Sequence, residues 1–211
     1  MPEMRVRDGL SDRPGGRAPA APRATGGATQ PVVRIPAVGS GTFVVTEPPG
    51  ITADHSDSTG DLTYTVEIEG GLPFAPRATA ITVDRILDDE RGWQTVAGRT
   101  FRQVSGAGQL RILLATPSTT DELCAPLKTN GEVSCRNGDL VVLNARRWAF
   151  ATADYQDAVP TYRTYLVNHE VGHAIGYVHA ACPGPGERAP VMQQQTYGLD
   201  GCRPNPWPSV A

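Results

Sequence analysis

Hydrophobic and polar positions first alternate with period two over Leu62–Ile68, and Gly70-Gly71 closes that run, so it reads as a half-buried strand. Thr42–Thr46 reads as a strand before it. From Phe74 to about Glu90 the period changes. Ala75, Ala78, Ile81, Val83, Ile86 and Leu87 form one broad apolar face, which predicts a helix stopped by Gly92. Thr100–Val104 and Leu110–Ala115 read as strands on either side of Ser105-Gly106. A short helical turn is expected over Ser118–Leu123 and a short strand over Glu132–Cys135. Asn137-Gly138 is a hairpin signal leading into a strand at Leu140–Asn144. A second long helix is predicted over Thr161–Ile175, opened just after Pro160 and ended at Gly176, and everything after His179 reads as loop. The fold class is therefore α+β, with no internal repeat.

Residues 1–36 break this pattern. They hold six Pro, five Gly and six Arg with almost no large apolar side chain, the composition of a disordered linker or a cleaved pro-segment. The folded domain is expected over 37–211. Hydrophobic residues make up 39% of the chain, enough for one core, and no apolar run reaches the roughly 18 residues of a membrane span. The net charge is −3, and Arg is diluted along the chain rather than gathered, which argues against a nucleic-acid partner.

Four cysteines allow three connectivities, of which Cys124–Cys135 with Cys182–Cys202 closes the shortest loops. Paired cysteines imply an oxidising compartment and hence a secreted or outward-facing protein; four free thiols in a cytosolic protein are the alternative. The N-terminus carries no apolar leader, so export requires a leader or anchor not present in this chain.

Three of the four histidines fall within eleven residues, His169-Glu170-Val171-Gly172-His173-Ala174-Ile175-Gly176-Tyr177-Val178-His179. The pattern is H-E-x-x-H-x-x-G-x-x-H, which chance would assemble in about one such chain in 10⁵. Residues four apart share a helix face, so His169 and His173 present two imidazoles to one ion. Continuing that helix would bring Tyr177 next, so the third ligand needs a change of direction. Gly176 supplies it, because glycine tolerates positive φ, and His179 returns to the metal. Three His ligands with one position left for water describe catalytic Zn²⁺, with Glu170 placed as general base and then acid. A closed structural site with Cys182 as fourth ligand is the competing arrangement. His55, in a Ser/Asp/Gly loop, reads as a surface residue.

The long motif resembles that of the metzincin zinc endopeptidases. The stretch from Tyr165 to Pro208 is similar, more narrowly, to an uncharacterised metzincin-like domain family of exported actinobacterial proteins. The residues that carry this second likeness are Val167 to His173, Cys182-Pro183-Gly184, Ala189 to Gln194 and Gly201-Cys202. The resemblance implies a zincin with a twisted mixed sheet, two long helices and a short, loop-rich C-terminal subdomain. It implies a Met-turn at Met192 beneath the metal, and peptide bound antiparallel to an edge strand, here Glu132–Cys135. Some metzincins carry Tyr two residues after the Met. That position is Gln194 here, and Tyr197 is either an oxyanion donor or a packing residue. The expected function is a monomeric zinc-dependent endopeptidase acting on protein or peptide. A cell-wall peptide or amide hydrolase and a non-catalytic surface module with structural zinc are its rivals.

Overall fold

The computed structural model describes residues 33–50, 61–155 and 157–210. The expected tail therefore lies outside the described residues as far as residue 32, as does His55; Ile35 packs against the core.

The architecture is mixed α+β, built on a six-stranded mixed sheet. Its strands are β1 (Phe43–Val45), β2 (Leu62–Glu69), β3 (Phe101–Gln103), β4 (Leu110–Ala115), β5 (Cys135–Asn137) and β6 (Leu140–Asn144). The spatial order is β1-β2-β4-β6-β5, with β3 also on β2. The β2–β3, β2–β4 and β4–β6 pairs are parallel, while β1–β2 and β5–β6 are antiparallel. The period-two pattern seen in β2 sends Tyr64, Val66 and Ile68 to one face. There they join Ile112, Leu114, Val141 and Leu143 in the main core.

That face is covered by helices α1 (Pro76–Leu87) and α5 (Val159–Ala174). The opposite face carries α3 (Pro117–Cys124), held to β5 by the Cys124–Cys135 disulfide. At 12 residues, α1 is shorter than the pattern suggested. Pro76 occupies its first turn after an extended Ala75, so the helix cannot begin at Phe74. Two short helices went unread: α2 (Trp93–Ala97), and α4 (Ala145–Phe150), which Asn144 caps by accepting from the Arg146 N–H at 3.0 Å.

The strand expected over Glu132–Cys135 sits further along, at Cys135–Asn137. The preceding residues form a turn with Asn130 at φ 52° and Gly131 at φ 66°. Asp121 holds that turn by accepting from the Gly131 N–H at 2.7 Å and from the Thr129 hydroxyl, while Glu132 pairs with Arg146 and Arg147. After His179 the chain is irregular apart from a one-residue bridge between Arg188 and Arg203 and a 3-10 turn at Pro208–Val210. The Cys182–Cys202 disulfide ties this segment together.

Candidate metal centre

The centre is built on α5, which is buried on all sides through its middle: Tyr165, Leu166, Val167, Asn168, His169, Glu170, Val171 and Gly172 are all buried. A helix buried all round loses its amphipathic signature, which is why its function shows in spacing and not in hydrophobic periodicity. Trp93 anchors it from α2, donating its indole N–H to the Asn168 carbonyl at 2.9 Å.

The helix stops where the sequence requires it. Gly176 takes φ 99°, the Tyr177 N–H reaches back to the Gly172 carbonyl at 2.9 Å, and the Gly176 N–H reaches that of His173 at 3.2 Å. This pair of bonds is a Schellman cap. It reverses the chain so that the three imidazoles face one another, with ring centroids 4.8, 5.3 and 4.6 Å apart. Their ligating atoms all lie within 4.8 Å of one another, so His169, His173 and His179 form a group that could hold a metal ion.

The ring orientations are set from outside the group. His169 Nδ1 lies 2.8 Å from the Val191 carbonyl and His173 Nδ1 lies 2.9 Å from the Tyr177 carbonyl. A carbonyl can only accept, so both Nδ1 atoms carry the proton and both Nε2 atoms present a lone pair inward. His173 Nε2 and His179 Nε2 are 3.0 Å apart, which requires a proton or a cation between them. Two nitrogens on one tetrahedral ion with bonds of ~2.0–2.1 Å stand about 3.3 Å apart, so the His173–His179 pair is close to the spacing of two ligands on one ion.

The Ala189–Gln195 segment lies beneath the group. Val191 supplies the carbonyl just described, and Met192 is buried at 4% exposure. A Cβ on Gly172 would stand 2.5 Å from Met192 Sδ and 2.5 Å from Trp93 Cζ2, so a side chain there would collide with both. The Gln194 amide nitrogen is 2.9 Å from His179 Nε2. Cys182 is bonded to Cys202 and offers no thiolate to a metal. Tyr197 is 68% exposed and lines a side groove with His179 and Gln194, outside the main cleft.

That main cleft, of about 450 Å³, is lined by the three histidines with Glu170, Tyr165, Val133, Arg136 and Val178 among others. Glu170 is buried, and burial pushes its carboxyl up to about 8. Burial, together with the His173 and His179 charges, takes His169 down to about 3 against the raising effect of the Val191 carbonyl. His179, though exposed as a residue, is also held below its usual value, first by partial desolvation of its ring and then by His173. Neutral imidazoles are the metal-binding form.

Trp93, the Val191 carbonyl and Gln194 contribute to this site without having been legible as parts of it. Val191 carried a signal only as a member of the Ala189 to Gln194 run, and Gln194 also by its place two residues after Met192. Residues 29–206 match the family described as Protein of unknown function (DUF3152). No curated protein and no solved structure matches the chain. With the match running from ahead of β1 to just short of the C-terminus, the chain belongs to the DUF3152 family.

Proposed function

We propose that this protein is a zinc-dependent endopeptidase of the metzincin type. One observation carries the reading: the three-imidazole group and the Glu170 carboxyl open onto the same cleft, and Cys182 is tied up in a disulfide. A closed structural site needs a fourth protein ligand, and the residue that sequence offered for it is spent. Bound there, Zn²⁺ would supply Lewis-acid polarisation of the scissile carbonyl and acidification of a water.

The chain's own residues do the rest. His169, His173 and His179 would hold the ion, the first two through Nε2. Val191 and Tyr177 fix the tautomers of the first two. Glu170 takes the proton of the attacking water and returns it to the leaving amine, and a cation held by the neighbouring imidazoles would keep its carboxyl ionised for the first of these roles. Beside the cleft, β5 pairs with β6 on one side only among the described residues. Its other edge can receive an extended peptide by strand addition. The Gly172–Met192 contact gives the site a packed floor, in keeping with a Met-turn. Two disulfides suit an extracellular setting, and no helix among the described residues is long and apolar enough to cross a membrane.

The test uses the purified full chain. It should carry about one zinc, by elemental analysis, and cleave unfolded casein, while Glu170→Ala should keep the zinc and lose at least a hundredfold in rate. A Glu170→Ala protein with zinc and full activity would sink the proposal.

A further inference from the structure

Away from the metal centre, a groove of about 410 Å³ is lined by Arg91, Arg188, Arg203, Pro204, Asn205, Pro206 and Trp207. The three arginines are not equivalent. Arg91 is spent: its guanidinium holds Asp89 through bonds of 2.8 and 2.7 Å and lies 4.2 Å over the Trp207 ring. Arg188 and Arg203 have no carboxylate partner among the described residues, and no acidic residue lines the groove. They are bridge partners in a parallel pair, fixed by Arg203 N–H to the Glu187 carbonyl at 2.7 Å and Ala189 N–H to the Arg203 carbonyl at 2.9 Å. Paired positions sit about 4.8 Å apart with side chains on one face. Both side chains are exposed, and the backbone sets their like charges on one face, where an anion between them would relieve the repulsion.

The chemistry of that anion can be narrowed. One guanidinium fork satisfies a carboxylate on its own, whereas two adjacent forks suit an oxyanion with oxygens in more than one plane, a phosphate. The groove is far larger than a phosphate ion, and its remaining walls are Pro204, Pro206 and the half-buried Trp207 indole, one face of which Arg91 covers. Asn205 is buried, and its amide is already committed to the Ala189 and Trp207 carbonyls at 2.9 and 3.0 Å. It therefore cannot read the edge of a nucleobase. We propose that this groove binds a phosphate group carried on a sugar ring, with Arg188 and Arg203 on the phosphate and Trp207 against the ring.

The experiment follows the Trp207 indole N–H resonance of the intact chain, assigned with Trp207→Phe, during titration. Ribose 5-phosphate should shift it in the millimolar range or tighter, at least tenfold more tightly than inorganic phosphate. Linear polyphosphate, rich in phosphate but lacking a sugar, should behave like the inorganic ion. Arg188→Gln/Arg203→Gln should weaken ribose 5-phosphate at least tenfold, while Arg77→Gln/Arg85→Gln, an equal charge change on α1, should leave it unaltered. No shift with any phosphate, or equal binding by the double variant, overturns the site. Tighter binding of a short oligonucleotide than of ribose 5-phosphate, or of polyphosphate than of either, overturns the sugar assignment. None of these readouts depends on zinc or proteolysis.

Discussion

In the metal-free protein, Glu170→Gln should act as a pH-dependent stabiliser. Burial raises the Glu170 carboxyl from 4.5 to about 8, so the folded chain keeps a proton that the unfolded chain has released. Stability from this group is complete below 4.5 and is lost as pH rises towards 8, at about 1.4 kcal/mol per unit. By pH 7 the loss is about 3 kcal/mol, and a neutral glutamine escapes it. His169 has the opposite sign. Its folded value falls from 6.5 to about 3, so its contribution is present above 6.5 and lost as pH drops below that.

Between 4.5 and 6.5 the two slopes cancel. The wild-type chain should hold level there with respect to these two groups, then weaken above 6.5, where only Glu170 titrates. Chelator-treated wild type and Glu170→Gln are compared by thermal unfolding in acid and at neutrality. The gap should be near zero at about pH 4.5 and open to a Tm difference of roughly 6–12 °C by about pH 7. Saturating zinc should narrow it, because a nearby cation favours the ionised carboxylate. An equal gap at both pH values would mean that packing, and not desolvation, separates the two side chains.

Gly172→Ala places a methyl against Met192 and Trp93 and should cost about 1–3 kcal/mol, with weaker zinc retention, by denaturant unfolding and metal analysis. His179→Ala should lower zinc content below that of the intact chain without a comparable loss of fold, since His179 is exposed. Replacing Cys182 and Cys202 by serine opens a loop with a sequence separation of 20 and should cost about 3 kcal/mol in thermal unfolding. Burial alone raises the Glu69 carboxyl, but donors from Thr116, Thr119 and Gly41 outweigh it and hold the pKa below 4.5. Its contribution is present above that value and lost in acid. Glu69→Gln should therefore destabilise by roughly 1–3 kcal/mol at neutrality and by less in acid.

The readable parts of this fold are those whose cause is local. The period-two run of β2, the Asn137-Gly138 turn and the Gly176 helix stop each depend on a few consecutive residues, and each stands where the pattern put it, with Gly138 at φ 63°. The misplaced strand at Glu132–Cys135 failed for a non-local reason. Asp121, on α3, claims the backbone of the preceding turn, and no residue inside the segment announces that. The short helix α4 had a local signal, Asn144 as N-cap, but it was absorbed into the end of the strand before it.

The same division runs through the candidate metal site, at single positions. Spacing alone brings His169 and His173 to one face, but it says nothing of which ring nitrogen is bare. That is decided by Val191, 22 residues away, and by Tyr177, whose carbonyl is available only because the chain has already turned at Gly176. The two free positions of the short motif are likewise not free in space. Val171 is fully buried in the core, and Gly172 is held to hydrogen by Met192 and Trp93. A sequence that keeps all three histidines, Glu170 and Gly176 but places a larger residue at 172 would satisfy the written pattern. It would still separate the helix from the segment that orients His169. The motif is therefore a statement about ligands, and the integrity of the site depends as much on the two residues it leaves unspecified.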